Sequence, residues 1–308
     1  MIALRNISRG TKVFIALTII YGLFAFILPA NPITKATYQV DNEAYHTLLF
    51  VVRIPIIATW CIAYFSFIRL LGYARQIKDT PEGAGFLSIA KGVGWIAWGL
   101  AVPAFVSSLL NAIANVDRDF LATALIITNY LYMIASLVAF SYIGAGAHAL
   151  LHNAKVKVQS KHIRWLVAVL VSFAVLFCAL IAARLHGMSL GDSYNAFYLP
   201  NWLVWSTIVT PYLYAWFIGV FAAMELVLIA RRTSGIIYKQ ALQLIAAGLV
   251  LIILSMCSLQ YFRAIVPRTG HLTIGASLVT AYGIYAVNIT GSILLVSGVR
   301  RLKRIEDI

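Results

Sequence analysis

The sequence is poor in charge and in cysteine. Only 11% of its 308 residues are charged and 62% are apolar, whereas soluble domains carry about 25% charged and about 45–50% apolar residues. The two soluble domains that the length alone suggests are therefore excluded, as is a disordered chain. Three cysteines (Cys61, Cys178 and Cys257) are too few to form a disulfide scaffold. The composition predicts a polytopic membrane protein.

The sequence also lacks the motifs of common enzyme classes. It contains no HExxH, P-loop or CxxC pattern. No acidic residue lies at mid-depth in an apolar run, which argues against coupling to protons or sodium ions. The last apolar run holds no lysine for an opsin-like Schiff base. We therefore predict no catalytic residue and no cofactor, and the balance favours a protein that is not an enzyme.

Eight apolar runs are long enough to cross a bilayer, which takes about 20 helical residues. They are Val13–Ala30, Leu48–Leu71, Phe86–Ile113, Phe120–Ala147, Ile163–Ala183, Trp202–Ala230, Ile236–Phe262 and Leu272–Val299. Each run is continuous and not alternating, so helices are expected and barrel strands are not. The predicted fold is an all-α bundle of eight transmembrane helices, the first of them uncleaved.

The net charge of +14 is distributed unevenly over the connecting segments. Of the 24 lysines and arginines, 17 lie on one side, at the N-terminus and around 69–78, 155–164, 231–239 and 300–304. The positive-inside rule places this side, and both chain ends, in the cytoplasm. The charge therefore indicates topology and anionic lipid headgroups, not nucleic acid. No Asn-x-Ser/Thr sequon falls in a predicted outer loop, which fits a prokaryotic plasma membrane.

Two segments of the sequence resemble each other. Residues 55–75 align without a gap to residues 211–231, with identities that include Pro55/Pro211 and Trp60/Trp216. The shift of 156 is close to half the chain length, so we predict two parallel four-helix repeats, 1–154 and 155–308. The alternative is convergent use of proline near an outer helix end and of tryptophan as a bulky filler.

Ionisable residues inside spans are the first functional candidates, because burying a charge in lipid is costly. Arg53 lies two turns inside the second span, and it either recognises an anion in an outer vestibule or reaches the interface. Glu225 is the one acidic residue inside a span, and its repeat equivalent is Arg69. We expect Arg69 and Glu225 to form a structural ion pair between the halves.

Several uncharged polar residues lie deep in the apolar runs, where their polar atoms need partners. Asn129, Tyr130, Tyr212, Tyr282 and Asn288 are the candidates for lining a cavity that takes a small neutral or amphipathic solute. The alternative is that they bond helices together and form interfacial aromatic belts.

His148 and His152 are four residues apart, so they share a helix face and could chelate a metal ion. Interfacial histidines are usually solvated, and the sequence alone assigns no metal site.

Three functions remain open from the sequence. The first is a small-solute permease or channel-like protein with a cavity between the repeats. The second is a receptor-like or scaffold subunit that acts through a cytoplasmic protein partner on its basic inner loops at 72–85 and 148–162. A membrane-embedded enzyme comes third.

Overall fold

Long apolar runs become helices because a bilayer offers no water to bond the backbone, so each segment must bond its own peptide groups. The computed structural model of the chain describes residues 8–27, 42–113, 118–152, 210–232, 236–264 and 274–306, and the single positions 168, 171, 172 and 175. The helices given bounds in these residues are α1 (Arg9–Ile27), α2 (Asn42–Gln76), α3 (Pro81–Ile113), α4 (Arg118–His152), α5 (Thr210–Arg232), α6 (Ile236–Ala264) and α7 (Ile274–Glu306).

Six of these helices, α2 to α7, each hold a stretch of 20 to 25 residues that is long and apolar enough to cross a membrane. The chain is a multi-pass helical membrane protein. The predictions of an all-α fold and of membrane spans are therefore confirmed. Helix α1 overlaps the first predicted run, Val13–Ala30, and is not one of the six. The fifth run, Ile163–Ala183, lies outside the described residues except for four helical positions, so the count of eight spans stays a prediction.

Local sequence sets the beginnings of two helices. Ser8 caps α1, its hydroxyl accepting a hydrogen bond from the Thr11 backbone N–H at 3.2 Å. Thr80 caps α3 in the same way, accepting from the Gly83 N–H at 3.2 Å, with Pro81 at the first helical position, where no backbone N–H is needed. These two caps define the first residues of α1 and α3.

Helices α2 to α7 form a closed ring in chain order, in which each packs on the next and α7 packs back on α2. Helix α1 lies outside this ring against α2 and α3. Its Phe14 ring stacks on Tyr64 with centroids 3.9 Å apart, and the Thr11 and Tyr64 hydroxyls are hydrogen-bonded at 3.0 Å. The core is filled by large apolar side chains such as Trp60 and Phe140, both fully buried.

Glycine allows close backbone approach between α3 and α4. A Cβ atom on Gly92 would lie 2.7 Å from the Ala139 carbonyl oxygen, and one on Gly146 would lie 2.6 Å from the Gly85 carbonyl oxygen. Residue numbers fall along α4 as they rise along α3, so the two helices are antiparallel. Such contacts let helices pack tightly in lipid, where apolar side chains gain little by leaving it.

Helices α6 and α7 approach each other in the same manner. A Cβ atom on Gly248 would lie 2.5 Å from the Gly291 carbonyl oxygen, and one on Gly298 would lie 2.7 Å from the Ala241 carbonyl oxygen. These two helices are also antiparallel.

Helices α4 and α5 run in the same direction. A Cβ atom on Gly219 would lie 3.3 Å from the Phe140 ring, and two turns further along both helices His148 contacts Glu225. Residue numbers therefore rise in the same direction along both helices, and α4 and α5 are parallel.

Candidate functional site

Arg53 is held between three helices. Its side chain is 6% exposed, and its guanidinium lies 4.8 Å from the centre of the Tyr21 ring of α1. One nitrogen donates to the Tyr21 carbonyl at 3.2 Å, and the other donates to the Ser108 hydroxyl of α3 at 3.3 Å. The Arg53 guanidinium, on α2, thus binds both α1 and α3, and this joins α1 to the ring of helices.

The structure does not bring Arg69 and Glu225 together. The Arg69 guanidinium lies 4.9 Å from the ring centre of Phe65, on its own helix α2. The Glu225 carboxylate contacts the Nδ1 atom of His148 at 2.9 Å. The two residues lie on helices with different neighbours, since α5 packs on α4 and α6 whereas α2 packs on α1, α3 and α7.

The predicted cavity residues are not gathered in one place by the described side chains. Tyr130 is buried in α4, whereas Tyr282 is 39% exposed on α7. The side chains of Asn129 and Tyr212 lie outside the described part of the chain. Asn288 is 2% exposed and belongs to a polar cluster that the sequence did not predict.

This polar cluster lies where α2, α6 and α7 meet, and it consists of Ser66, Ser255, Asn288 and Ser292. All four residues are at most 2% exposed. The Asn288 amide donates to the Ser255 hydroxyl at 2.6 Å. The Ser255 hydroxyl donates to the Ile252 carbonyl at 2.7 Å. The Ser66 hydroxyl has one hydrogen, which it shares between the Ile62 carbonyl of its own helix at 2.8 Å and the Ser292 carbonyl of α7 at 3.2 Å. Three helices therefore share one uncharged hydrogen-bonded cluster.

Two atoms of the polar cluster have no hydrogen-bond partner among the described residues. They are Asn288 Oδ1 and the Ser292 hydroxyl oxygen, one helical turn apart on the same face of α7. Turning the Asn288 amide over would only exchange the unpaired oxygen for an unpaired NH₂ group. A buried polar group without a partner costs about 1–3 kcal/mol in proteins. The cluster therefore presents unused hydrogen-bonding capacity within the apolar stretch Tyr282–Lys303 of α7.

A second cluster lies at the C-terminal end of α4. His148, His152 and Glu225 each offer one ligand atom, and these atoms all lie within 4.8 Å of one another. The two imidazole rings have their centroids 4.5 Å apart. Two histidines and a carboxylate form a ligand set that binds transition metals. The sequence predicted the histidine pair and missed Glu225, which joins it from another helix.

No family model, curated protein or solved structure matches the chain. Function is therefore argued from the chemistry of the two clusters, because a membrane helix bundle is compatible with many activities.

The sequence did not predict Ser66, Ser255 and Ser292 as site residues, and the reason is physical. Serine is common in membrane helices, where its hydroxyl can bond a carbonyl of its own preceding turn, as Ser66 does with Ile62 at 2.8 Å. A lone serine therefore carries little signal. The spacing of Asn288 and Ser292, i and i+4 in an apolar run, was the one available sign of a shared polar face.

Proposed function

We propose that the chain is a small-solute permease or channel-like protein of eight spans, built from the related halves 1–154 and 155–308. The polar cluster of α2, α6 and α7 is its solute-contacting site. The observation that carries this proposal is the pair of unpartnered polar atoms, Asn288 Oδ1 and the Ser292 hydroxyl oxygen, buried within the apolar stretch of α7.

The close glycine contacts support the duplication. Gly92 and Ala139 approach each other in the first half as Gly248 and Gly291 do in the second. The α3 and α6 positions are related by a shift of 156, and the α4 and α7 positions by a shift of 152. The shift of 156 equals the one that aligns residues 55–75 with 211–231, although the glycine contacts played no part in choosing it.

A second set of contacts repeats with the same shifts. Gly146 packs against Gly85 at the α3–α4 interface, and Gly298 packs against Ala241 at the α6–α7 interface. A shift of 156 relates Gly85 to Ala241, and a shift of 152 relates Gly146 to Gly298. Convergent use of single residues does not predict two matched pairs, whereas descent from one helical hairpin does.

The parallel arrangement of α4 and α5 supports the count of eight. A chain that leaves α4 on one side of the membrane must return to the opposite side before it can enter a parallel α5. Residues 153–209 contain one apolar run of sufficient length, Ile163–Ala183. We assign the fifth span to this run, which makes each half a four-helix unit in the same orientation.

The two equivalent interfaces between the halves differ in polarity. In the duplicated arrangement, α7 against α2 corresponds to α4 against α5. Ser292 on α7 is equivalent to Phe140 on α4, and Ser66 on α2 is equivalent to Ala222 on α5. Phe140 and Ala222 are buried apolar side chains. Phe140 and Ala222 thus show that these two positions can be packed by apolar side chains alone at the α4–α5 interface, and we assign the polar groups at the equivalent α2–α7 positions to function.

The chemistry of the cluster sets the class of solute. Its four members are uncharged, and its unpartnered atoms are an amide oxygen, which accepts, and a hydroxyl, which donates or accepts. A small neutral solute with hydroxyl or amide hydrogens would satisfy both atoms. An ion would find no opposite charge among these four residues. The bilayer with its anionic headgroups remains the predicted surrounding, in a prokaryotic plasma membrane.

The proposal is tested without knowing the solute by measuring water access to the cluster. A variant lacking Cys61, Cys178 and Cys257 receives Ser292→Cys and is exposed, in vesicles, to a small membrane-impermeant thiosulfonate. We expect modification of Ser292→Cys, because a permeation path must be hydrated. The matched control is Phe140→Cys at the equivalent apolar interface, which should stay unmodified.

A flux measurement completes the test. In proteoliposomes, light scattering after an osmotic step reports the entry of small neutral solutes such as glycerol or urea. Asn288→Leu should abolish the protein-dependent flux while leaving stability nearly unchanged, since the Ser255 hydroxyl keeps its hydrogen bond to the Ile252 carbonyl and the unpartnered Oδ1 atom is removed. Unreactive Ser292→Cys together with a destabilised Asn288→Leu would overturn the proposal and leave Asn288 as an interhelical bond. The receptor-like or scaffold alternative would then take its place.

A further inference from the structure

We propose that His148, His152 and Glu225 form a binding site for one divalent transition-metal ion of the zinc class, which joins the ends of α4 and α5. Helix geometry brings the two histidines together, because residues four apart lie one above the other on the same face. Glu225 completes the set from α5, where its carboxylate contacts the Nδ1 atom of His148 at 2.9 Å.

The distances fit a metal after small side-chain movements. Zinc bonds of about 2.0–2.2 Å in tetrahedral geometry place ligand atoms about 3.4 Å apart. The three ligand atoms lie within 4.8 Å of one another, so the widest pair must close by roughly 1.4 Å, which side-chain torsions can supply. The metal ion takes the place of the hydrogen shared by His148 and Glu225, and the neutral imidazole of His148 then carries its one proton on Nε2, to which it moves through water.

The ligand types select the metal. Imidazole nitrogens favour zinc, copper, nickel and cobalt, whereas magnesium and calcium favour sites made of oxygen ligands alone. The site is also open to water, because the side chains of His148 and Glu225 are 57% and 23% exposed. An ion can therefore enter from solution, and water can complete its coordination.

The position of the site gives the bound metal a structural consequence. His148 and His152 belong to the last helix of the first predicted half, and Glu225 belongs to the second half. A bound ion would fasten α4 to α5 at this end of the interface. This inference does not depend on the polar cluster of α2, α6 and α7, which shares no residue with the site.

The experiment uses the purified full chain in nanodiscs, carrying an affinity tag free of histidine. Titration with Co²⁺ and Zn²⁺ is followed by the visible ligand-field absorption of cobalt, by its loss when zinc displaces cobalt, and by the thermal midpoint of unfolding. We expect one ion per chain and a thermal midpoint that rises with metal concentration. Magnesium should give neither effect.

Variants separate a metal site from a simple ion pair. His148→Ala, His152→Ala and Glu225→Gln should each weaken binding about tenfold or more, since loss of even an outer partner of a ligand costs about 10–100-fold. His152→Ala is the decisive variant because His152 is not part of the His148–Glu225 ion pair.

The matched control is His46→Ala, since His46 lies near the start of α2, at the end of the bundle opposite to the C-terminal end of α4. His46→Ala should bind the metal as the parent does. Unchanged cobalt binding in His152→Ala, or the absence of saturable cobalt binding by the parent chain, would overturn the proposal and leave an ion pair.

Discussion

The substitution Gly92→Ala tests a close contact between α3 and α4. A Cβ atom at this position would lie 2.7 Å from the Ala139 carbonyl oxygen and 2.6 Å from the Ile143 Cγ1 atom. The isoleucine side chain can rotate away, but the carbonyl belongs to the backbone of α4. The methyl group can be accommodated only if α3 and α4 separate locally.

The size of this separation follows from contact distances. Carbon–oxygen contacts between helices lie at about 3.3–3.6 Å, so the helices must move apart by about 0.6 Å or more. A gap of about 0.5–1 Å forfeits about a quarter to a half of the dispersion energy at the contact. Overpacking of this kind costs about 1–3 kcal/mol. We expect Gly92→Ala to lower the free energy of unfolding by that amount.

Gly72→Ala is the matched control on α2, because a Cβ atom on Gly72 would meet nothing within 4 Å. Alanine is the better helix former by about 0.5–1 kcal/mol, so this variant should be slightly more stable than the parent. Unfolding is measured by titrating sodium dodecyl sulfate into mixed micelles and recording far-ultraviolet circular dichroism. Equal or higher stability of Gly92→Ala would refute the close approach of α3 and α4.

Two further predictions concern α1 and the topology. Arg53→Lys should lower the free energy of unfolding by about 1.5–3 kcal/mol in the same assay. A single ammonium group cannot reach both Tyr21 and Ser108 as the two guanidinium nitrogens do, and hydrogen bonds from charged groups contribute about this much. Unchanged stability would show that these two hydrogen bonds do not hold α1. Reporter fusions after residues 153 and 232 should give opposite results to one after residue 190, and identical results at all three positions would exclude a fifth span.

The sequence predicted membrane helices well because hydropathy measures the property that a bilayer selects. It predicted their ends less well. The second run was predicted to begin at Leu48, but α2 begins at Asn42, and the fourth was predicted to end at Ala147, but α4 continues to His152. Helices extend beyond the hydrocarbon layer because their hydrogen bonds remain favourable at the interface, whereas the apolar pattern ends with the hydrocarbon.

The expected Arg69–Glu225 pair shows where sequence reasoning fails. The two residues are equivalent positions of the predicted repeat. Positions related by a two-fold axis are adjacent only when they lie on that axis, and α2 and α5 pack mainly on other helices. Because Arg69 and Glu225 occupy equivalent positions of the predicted repeat, they should have been expected to lie apart. Glu225 instead pairs with His148 on α4, a partner that only the packing of α4 on α5 identifies.

The same reasoning explains how one fold can carry two unlike clusters. If the halves descend from one four-helix unit, the α2–α7 and α4–α5 interfaces began with the same residues. The first now holds buried serines and Asn288, whereas the second holds Phe140 at mid-depth and His148 beside Glu225 at its end. A substitution at one of these two interfaces leaves the other unchanged. One interface between the halves can therefore acquire polar residues while the other keeps the halves packed together. If the proposed duplication holds, the polarity difference between equivalent positions is a better guide to function in this chain than any single polar residue.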